Sequence, residues 1–544
     1  MPARPPHTAL PQTLPRALAS QRAGLRALVH LAVRSISRGL LRGLSRVLAI
    51  ATVLAGQAAL AQPVATIQPT TQATAQPTTQ PLPQPLPAEI DAALVRARLP
   101  REAVTLVVVD AQGKAAPRLW HRAQAQVNPA SIAKLATTFA ALELLGPAWT
   151  WTTPVLVDGP IRDGVLQGNL YIKGQGDPRL VVERLWQLLR RVQGLGVRRI
   201  SGDIVLDRSA FQLGPQDPAA FDGEPLKAYN AQPDALLVNY RAIVLHLTPL
   251  GTGQLAAVQM EPSLAGVEVP ANVPLTNAAC GDWRAGLRAD FSQPNRIRLD
   301  GTYPAACGPR AWPLAAPEPA SQAARAVEAL WRELGGQLGG QVRDGLAPAG
   351  LAPVISLESP ALAEVVRDIN KFSNNVMAQQ LFLTLSLQQK GSGTLVGSRE
   401  VLRQWWRERL KDEPPQFDNG SGLSRQERVT AAQLTRLLQY AWVSPLMPEF
   451  IASLPVTGID GTARRTGASP GAAGLAHLKT GSLRDVAGVA GYVHAADGRR
   501  YVLVAIANHP DAGAIRPVVD ALVAWTVGGP ATAPTAGTSP AVRR

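Results

Sequence analysis

The chain has 544 residues, of which 46% are hydrophobic and 17% are charged. This composition is typical of globular proteins and excludes a disordered chain, and the length predicts about two to four domains. The formal net charge of +15 is uneven, because residues 1–61 contain eight arginines and no acidic residue. The excess in the rest of the chain is modest, which argues against a nucleic acid as a partner.

The N-terminal arm ends in the apolar run VLAIATVLAGQAALAQ, which contains Ala59-Leu60-Ala61. A basic arm, a short apolar run and an Ala-x-Ala site predict a signal peptide over residues 1–61, cleaved after Ala61, and a periplasmic protein. A membrane anchor is the weaker alternative, because a spanning helix needs roughly 20 apolar residues and Gly56 and Gln57 interrupt this run. Peripheral association with a membrane is left open.

Both ends of the mature chain have compositions that do not support a packed core. Residues 62–87 are rich in Pro, Gln and Thr, and residues 528–544 have a similar character. We therefore expect a linker, then folded structure over residues 88–527, then a disordered tail.

The folded part begins with a helical pattern, EIDAALVRARL, and two apolar runs in AVTLVVVDAQGKAAPRLWHR that predict a β-hairpin. A helix is predicted from Ser131 to Gly146, and residues 149–354 contain many short strand-like segments. Helical patterns then return, and strand-like runs precede a last helix at IRPVVDALVAWTV. The sequence predicts an α/β fold whose antiparallel sheet contains strands from both ends of the folded part.

Cys280 and Cys307 are the two cysteines of the chain. Because export leads to an oxidising compartment, a disulfide between them is predicted. Two cysteines without a nearby histidine do not suit zinc, and the seven histidines have no metal-ligand spacing, so neither a metal nor a cofactor is predicted. His477 lies two residues before Lys479 and either lines a cleft or is a surface or packed histidine.

The first candidate motif is Ser131-x-x-Lys134 at the start of an apolar helix. Residues three apart on a helix are neighbours, so Lys134 can serve as the base that activates Ser131 if burial lowers its pKa. Arginine does not deprotonate, and the chain has eight lysines among 54 basic residues, so a lysine here is informative. The alternative is a chance surface pair.

Two further motifs follow, and each has an ordinary structural explanation. Ser373-Asn374-Asn375 precedes a helical pattern and could be an N-cap, since Ser and Asn are preferred there. Lys479-Thr480-Gly481 ends a strand-like run and could be a turn. No single motif indicates a function, whereas the three motifs in the order Ser-x-x-Lys, Ser-x-Asn and Lys-Thr-Gly do.

In this order the motifs resemble those of the penicillin-binding proteins and serine β-lactamases. The long separation of Lys134 from Ser373 resembles the D-alanyl-D-alanine carboxypeptidase/endopeptidase family of the penicillin-binding protein 4 type, peptidase family S13. Other segments are similar to that family as well: LYIKGQGDPRL, ISGDIVLDRSAF, DNGSGLSRQERVT and SLPVTGIDGTARR. The resemblance implies a DD-peptidase/β-lactamase-like domain, an antiparallel sheet flanked by helices, over 88–148 and 355–527, with a mainly β insertion over 149–354.

The resemblance also implies roles for individual residues. Ser131 would be the nucleophile and Lys134 its base, Ser373 would pass a proton to the leaving amine, and Asn375 would bind a substrate amide. Lys479 and Thr480 would hold a terminal carboxylate, and the backbone N–H groups of Ser131 and Ser482, beside Gly481, would stabilise the oxyanion.

The resemblance also implies roles for three side chains outside the motifs, each with an alternative, and it differs from this sequence at a fourth. Arg425 is expected to reach the substrate, or else to cap a helix or pair with Glu427. Asp222 and Glu224 would meet the free amine of a diamino acid in a stem peptide, or else are solvated loop acids. Arg484 stands where some relatives have an uncharged polar residue, which puts side-chain preference in doubt.

The resemblance thus implies a peptidase of peptidoglycan stem peptides and crosslinks, with β-lactam antibiotics as covalent inhibitors. One alternative is a serine β-lactamase, which lacks so long an insertion. The other is a catalytically silent peptidoglycan-binding protein, against which the intact motifs argue.

Overall fold

The computed structural model of the chain describes residues 85–251, 253–466 and 472–528. The predicted signal peptide, most of the predicted linker and nearly all of the predicted tail lie outside the described residues. The α-helices of the described part span Ala88–Ala97 (α1), Lys134–Leu145 (α2), Val182–Gly194 (α3), Trp283–Gly286 (α4), Pro319–Glu333 (α5), Leu362–Phe372 (α6), Asn375–Lys390 (α7), Leu395–Leu410 (α8), Ala431–Val443 (α9), Met447–Ser453 (α10) and Arg516–Val527 (α11).

The strands of the described part are Val104–Asp110 (β1), Leu119–His121 (β2), Thr152–Val157 (β3), Ile161–Arg162 (β4), Val165–Leu166 (β5), Leu170–Lys173 (β6), Arg199–Ile200 (β7), Ile204–Asp207 (β8), Ala242–Pro249 (β9), Leu255–Glu261 (β10), Asn272–Thr276 (β11), Leu287–Gln293 (β12), Arg296–Gly301 (β13), Tyr303–Pro304 (β14), Arg310–Ala315 (β15), Gln337–Leu338 (β16), Val342–Asp344 (β17), Ile355–Glu358 (β18), Ala476–Leu483 (β19), Val486–His494 (β20) and Arg500–Asn508 (β21). They belong to several sheets.

One sheet has five antiparallel strands in the order β19-β20-β21-β1-β2. The pairing of β1 with β21, which places Leu106 opposite Ala505, joins the first and last strands of the described chain. The predicted hairpin is β1–β2. The sheet therefore contains strands from both ends of the folded part, as the sequence predicted.

Each face of this sheet is covered by helices. Along β1, Val104, Leu106 and Val108 belong to a hydrophobic core that includes residues of α1 and α11. The alternate residues Val107 and Val109 belong to a second core, with residues of α2 and of α6 to α10. Because side chains alternate across a strand, an almost continuous apolar run such as VTLVVVD can bury both of its faces.

The region between α2 and α6 has a core of its own, to which α3 and α5 contribute. Its sheets have the orders β17-β8-β6-β3-β18, β16-β7-β5-β4 and β14-β11-β10-β9-β15, with β12 and β13 as a separate pair. A disulfide joins Cys280 to Cys307 in this region. Because β18 pairs with β3, these sheets include residues up to Glu358. The domain division stays a prediction.

Within residues 85–251, 253–466 and 472–528, none of the helices combines the length and hydropathy that a membrane span requires.

Candidate active site

Ser131 lies in a short 3-10 turn, Ala130–Ala133, that leads directly into α2. The predicted helix start is thus a tighter turn, and α2 itself begins at Lys134. Ala130 has a φ of +47°, a conformation that costs an L-residue free energy. Its N–H donates to Asn128 Oδ1 at 2.8 Å, and the N–H of Asn128 donates to Asn508 Oδ1 at 2.8 Å. These bonds attach the turn to β21.

The loop that contains Asn419-Gly420-Ser421-Gly422 covers the same turn. Thr137 Oγ1 donates to the carbonyl of Gly420 at 2.8 Å, and Lys134 Nζ donates to the carbonyl of Ser421. Gly422 has a φ of +79°, and a side chain there would overlap the carbonyl of Ala130. The glycines in this segment therefore allow the loop backbone to approach the backbone beside Ser131.

Lys134 is completely buried, and its Nζ has three oxygen neighbours. Nζ lies 2.8 Å from Ser131 Oγ and 2.7 Å from Asn375 Oδ1, and it also contacts the carbonyl oxygen of Ser421. The last two oxygens can only accept hydrogen bonds, whereas the Ser131 hydroxyl can donate. A neutral amine has two N–H donors and one lone pair, so in that form its lone pair faces the Ser131 hydroxyl.

The surroundings of Lys134 favour this neutral form. Burial, followed by the positive charge of Lys479, lowers the pKa of Lys134 well below its usual value, and Glu427 acts in the opposite direction. Removal of an ammonium from water disfavours its charge, and a second ammonium nearby repels it. The side chain can therefore accept a proton from Ser131.

Lys479 lies in the middle of β19, which corrects the expectation that Lys-Thr-Gly ends a strand. Its Nζ donates to Ser373 Oγ at 2.9 Å and to the carbonyl of Thr480 at 2.8 Å. Burial lowers the pKa of Lys479 to about 7. The structure thus places Lys479 beside Ser373 and near enough to Lys134 for its charge to act on that side chain.

Ser373 is the left-handed residue that separates α6 from α7, with a φ of +57°. The N-cap of α7 is Asn374, whose side chain accepts from the N–H of Met377 at 3.1 Å. The N-cap interpretation thus holds for Asn374, whereas the Ser373 hydroxyl contacts Lys479. Asn375, the first residue of α7, also donates through Nδ2 to the carbonyl of Tyr229 at 3.0 Å, which connects the site to the inserted region.

The rest of the Lys-Thr-Gly segment packs along the Ser131 turn. A side chain on Gly481 would lie 2.7 Å from the carbonyl oxygen of Pro129, so glycine permits this close approach. Thr480 Oγ1 donates to Thr462 Oγ1 at 2.7 Å. Ser482 and Arg484 are exposed near the turn between β19 and β20.

Arg425 contacts two segments at the edge of the site. Its Nη1 donates to Asp485 Oδ1 at 2.7 Å, so the alternative that it pairs with Glu427 is wrong. Its guanidinium lies 4.9 Å from the centroid of the Phe221 ring. Arg425 is thereby brought next to Asp222.

Asp222 is held by its own loop. It accepts from Tyr229 Oη at 2.8 Å and from Asn230 Nδ2 at 2.7 Å. Burial raises the pKa of this carboxyl, but hydrogen bonds from Tyr229, Asn230 and the N–H of Glu224, with the charge of Arg425, lower it overall. Glu224 accepts from Asn230 through its backbone carbonyl, and its side chain is exposed.

Glu427 is a buried acid that sequence reasoning placed only as a partner for Arg425. Its Oε1 accepts from the N–H of Asp418 at 3.3 Å, and Oε2 has no hydrogen-bond partner among the described residues. Burial, followed by the negative charge of Asp418, raises the pKa of Glu427 to about 7. The local sequence Arg-Gln-Glu-Arg is polar and gives no signal of this burial.

Replacement of Glu427 by glutamine is expected to change how stability depends on pH. The folded state holds the Glu427 proton more tightly than the unfolded chain, so wild-type stability falls as pH rises from about 4.5 to about 7. Between pH 4 and pH 8, Glu427→Gln should gain on the order of 3 kcal/mol in unfolding free energy relative to wild type. Urea unfolding at several pH values measures this. Equal pH slopes in both proteins, with Glu413→Gln as an exposed control, would contradict it.

His477 lies near Lys371 and Asp460, and its ring centroid is 5.4 Å from that of His494. Burial, followed by the charge of Lys371, lowers the pKa of His477. In the described ranges, no three His, Cys, Asp or Glu side chains are grouped so that they could hold a metal ion.

Comparison with known proteins identifies the family. The profile of the "D-Ala-D-Ala carboxypeptidase 3 (S13) family" matches residues 86–527. A D-alanyl-D-alanine carboxypeptidase of Actinomadura sp. (strain R39) is 31% identical over 430 residues, which are 75% of this chain and 78% of that protein. D-alanyl-D-alanine carboxypeptidase DacB of Haemophilus influenzae is 24% identical over 390 residues, 70% of this chain and 80% of that protein.

Solved structures show the same fold. The crystal structure of penicillin binding protein 4 (dacB) from Haemophilus influenzae matches with a TM-score of 0.66 and 22% identity, over 80% of this chain and 98% of that one. The complex of that protein with a β-lactam matches with a TM-score of 0.63, also at 22% identity and over the same shares of the two chains. The predicted fold class is confirmed. Since the family profile covers most of the chain and a relative shares 31% identity over three quarters of it, the chain belongs to the D-Ala-D-Ala carboxypeptidase 3 (S13) family.

Proposed function

We propose that this protein is a serine D-alanyl-D-alanine carboxypeptidase and endopeptidase that cuts peptidoglycan stem peptides and crosslinks through an acyl-enzyme on Ser131. The observation that carries the proposal is the environment of Lys134 Nζ. Two acceptor oxygens take its N–H groups, and the Ser131 hydroxyl lies 2.8 Å away on the remaining side.

Acylation begins when Lys134 takes the proton of Ser131, and Ser131 Oγ attacks the carbonyl carbon of the penultimate D-Ala. The N–H groups of Ser131 and Ser482 stabilise the oxyanion that forms. As the C–N bond breaks, the leaving amine receives a proton that originates on Lys134 and passes through the hydroxyl of Ser373. Water then hydrolyses the ester and restores Ser131.

Substrate binding uses the remaining residues of the motifs. Lys479 and Thr480 hold the terminal carboxylate, because Lys479 Nζ is a positive donor at pH below about 7 and lies beside Ser373. Asn375 binds a substrate amide from its position between Lys134 and Tyr229. No cofactor takes part in this scheme.

The loop that contains Asp222 would bind the side chain of the diamino acid in the stem peptide. The lowered pKa of Asp222 keeps it negative, as binding of the amine of a diamino acid requires. Glu224 would add a second negative charge, and Arg425 would reach the substrate from its position over Phe221. Arg484, which lies at the turn between β19 and β20, would influence which side chain of the stem peptide the enzyme prefers.

We also propose that β-lactam antibiotics acylate Ser131, a step supported by the similarity to a fold that has been crystallised with a β-lactam. Export by the signal peptide over 1–61 would bring the enzyme to its substrate in the periplasm. We further propose that the chain divides into a catalytic domain (88–148 and 355–527) and an inserted domain (149–354). Peripheral membrane association is also part of the proposal.

Simple measurements distinguish the proposed function from two alternatives. Fast, repeated turnover of nitrocefin would indicate a β-lactamase. Failure of fluorescent penicillin to label Ser131 would indicate a silent peptidoglycan-binding protein.

Replacement of Ser131 by alanine is expected to abolish cleavage of purified muropeptides, since no other hydroxyl of the described residues hydrogen-bonds to Lys134 Nζ. Mass spectrometry of digests by wild type and Ser131→Ala measures this directly. Loss of D-Ala from monomers, or separation of crosslinked dimers, should occur with wild type alone. Equal products from both proteins, or none from wild type, would overturn the assignment.

A further inference from the structure

A cavity of about 550 Å³ lies where the α6–α7 junction meets the inserted region. Ser373 and Asn375 line it from the catalytic side, and Tyr229 and Tyr240 line it from the inserted region. Its volume is within the range of about 300–1,000 Å³ that is usual for ligand pockets. The cavity therefore offers a binding site that is continuous with the candidate catalytic residues.

The lining carries charges of both signs. Arg179 contacts Asp368, and its Nε has no hydrogen-bond partner among the described residues. Glu183 and Glu261 also line the cavity and supply negative charge. Glu183 is exposed to solvent and Glu261 is partly exposed. A ligand with carboxylate groups and N–H donors, such as a peptide, would match this arrangement, whereas a neutral sugar chain would not use its positive charge.

An exposed aromatic residue and a strained segment lie at the same cavity. Phe372 is 68% exposed although it is large and apolar, and it immediately precedes Ser373. Asn239, Tyr240 and Arg241 have φ values of +45°, +59° and +49°, which is unusual for three successive residues that are not glycine. Asn239 and Tyr240 line the cavity. Strain of this kind collects at ligand sites.

We propose that this cavity, the acceptor cavity, binds the second stem peptide of a crosslink, the peptide that leaves when the crosslink is cut. The inference rests on the proposed function, in which Ser373 passes a proton to the leaving amine. In a crosslink that amine belongs to the diamino acid of another stem peptide, so the rest of that peptide must continue past Ser373.

The charges fit that leaving peptide. Its free carboxylate can pair with Arg179, its peptide N–H groups can donate to Glu183 or Glu261, and its alanine methyl groups can contact Phe372. When the terminal D-Ala is the leaving group, only a single small amino acid departs, and it does not extend into the acceptor cavity. The cavity therefore contributes to crosslink cleavage and little to carboxypeptidase cleavage.

The test compares two substrates, a purified crosslinked muropeptide dimer and a pentapeptide monomer. The variants are Glu183→Gln and Phe372→Ala, whose side chains are exposed and whose replacement should leave the fold intact. Each should lower kcat/KM for the dimer about tenfold more than for the monomer, mainly through KM, because each removes a contact with the leaving peptide. Glu333→Gln and Val396→Ala are matched controls outside the cavity. In both controls we expect the ratio of kcat/KM for the dimer to kcat/KM for the monomer to stay at the wild-type value.

The outcomes separate this inference from the proposed function. If wild type cleaves the monomer and not the dimer, or if the variants lower both substrates equally or neither, the acceptor cavity is overturned and the peptidase assignment stands. If wild type cleaves neither substrate, both are overturned. Loss confined to the dimer supports the acceptor cavity.

Discussion

Replacing Lys134 by arginine is expected to lower the rate of acylation of Ser131 roughly 10²–10⁴-fold, the usual contribution of a general base. Arginine keeps a positive charge at every accessible pH, so it cannot take the proton of the Ser131 hydroxyl. The rate is measured with a chromogenic or fluorescent β-lactam under single-turnover conditions. Full activity of Lys134→Arg would refute the role given to the neutral amine.

Loss of folding could imitate this result, because Lys134 is fully buried. Lys371→Arg is the matched control: Lys371 is also buried, pairs with Asp460 at 2.6 Å and does not contact Ser131. Thermal unfolding of both variants should be compared with wild type. We expect Lys371→Arg to retain acylation, so that a selective loss at position 134 identifies the base.

Replacement of Lys479 by methionine is expected to lower kcat/KM for the pentapeptide by about 10²–10³-fold. The change removes the donor to Ser373 and the charge proposed to hold the terminal carboxylate, while it keeps most of the buried volume. It also removes a charge that lowers the pKa of Lys134. The pKa of Lys134 should then rise, and the acidic limb of the pH–rate profile should move to higher pH.

The pH–rate profile distinguishes this electrostatic role from a purely structural one. Lys479→Arg, which keeps the charge, should retain an acidic limb close to that of wild type even if its rate is low. A Lys479→Met profile whose acidic limb stays in place, or moves to lower pH, would contradict the proposed interaction between the two lysines.

Local patterns in the sequence predicted the sheet and the order of its elements. The run VTLVVVD is apolar at nearly every position, as expected for β1, which packs against helices on both faces. The strands near the C-terminus complete the same sheet. The sheet was therefore predictable although β1 and β21 are far apart in the sequence. The short strands between α2 and α6 were recognisable as β structure, but strand pairing across residues 152–358 was not encoded in any local pattern.

The candidate site was predicted through motifs, and contacts between distant residues were not. Lys134 and Asn375 are 241 positions apart in the sequence, and their Nζ and Oδ1 atoms are 2.7 Å apart. The family resemblance placed both residues in one active site but did not predict this contact. Glu427 was missed because a charged residue in a polar loop is ordinarily solvated, and its burial depends on tertiary packing. The sequence indicated an N-cap within Ser373-Asn374-Asn375, and Asn374 is that cap. The left-handed backbone of Ser373 depends on how α6 and α7 pack, so it was not predicted.

The acyl-enzyme on Ser131 is tested most directly by mass spectrometry of the protein after incubation with benzylpenicillin. We expect the intact mass to rise by one penicillin molecule, and the modified peptide to be the one that contains Ser131, with no such change in Ser131→Ala. An unmodified wild-type protein, or a penicilloyl group on a residue other than Ser131, would contradict the proposed mechanism.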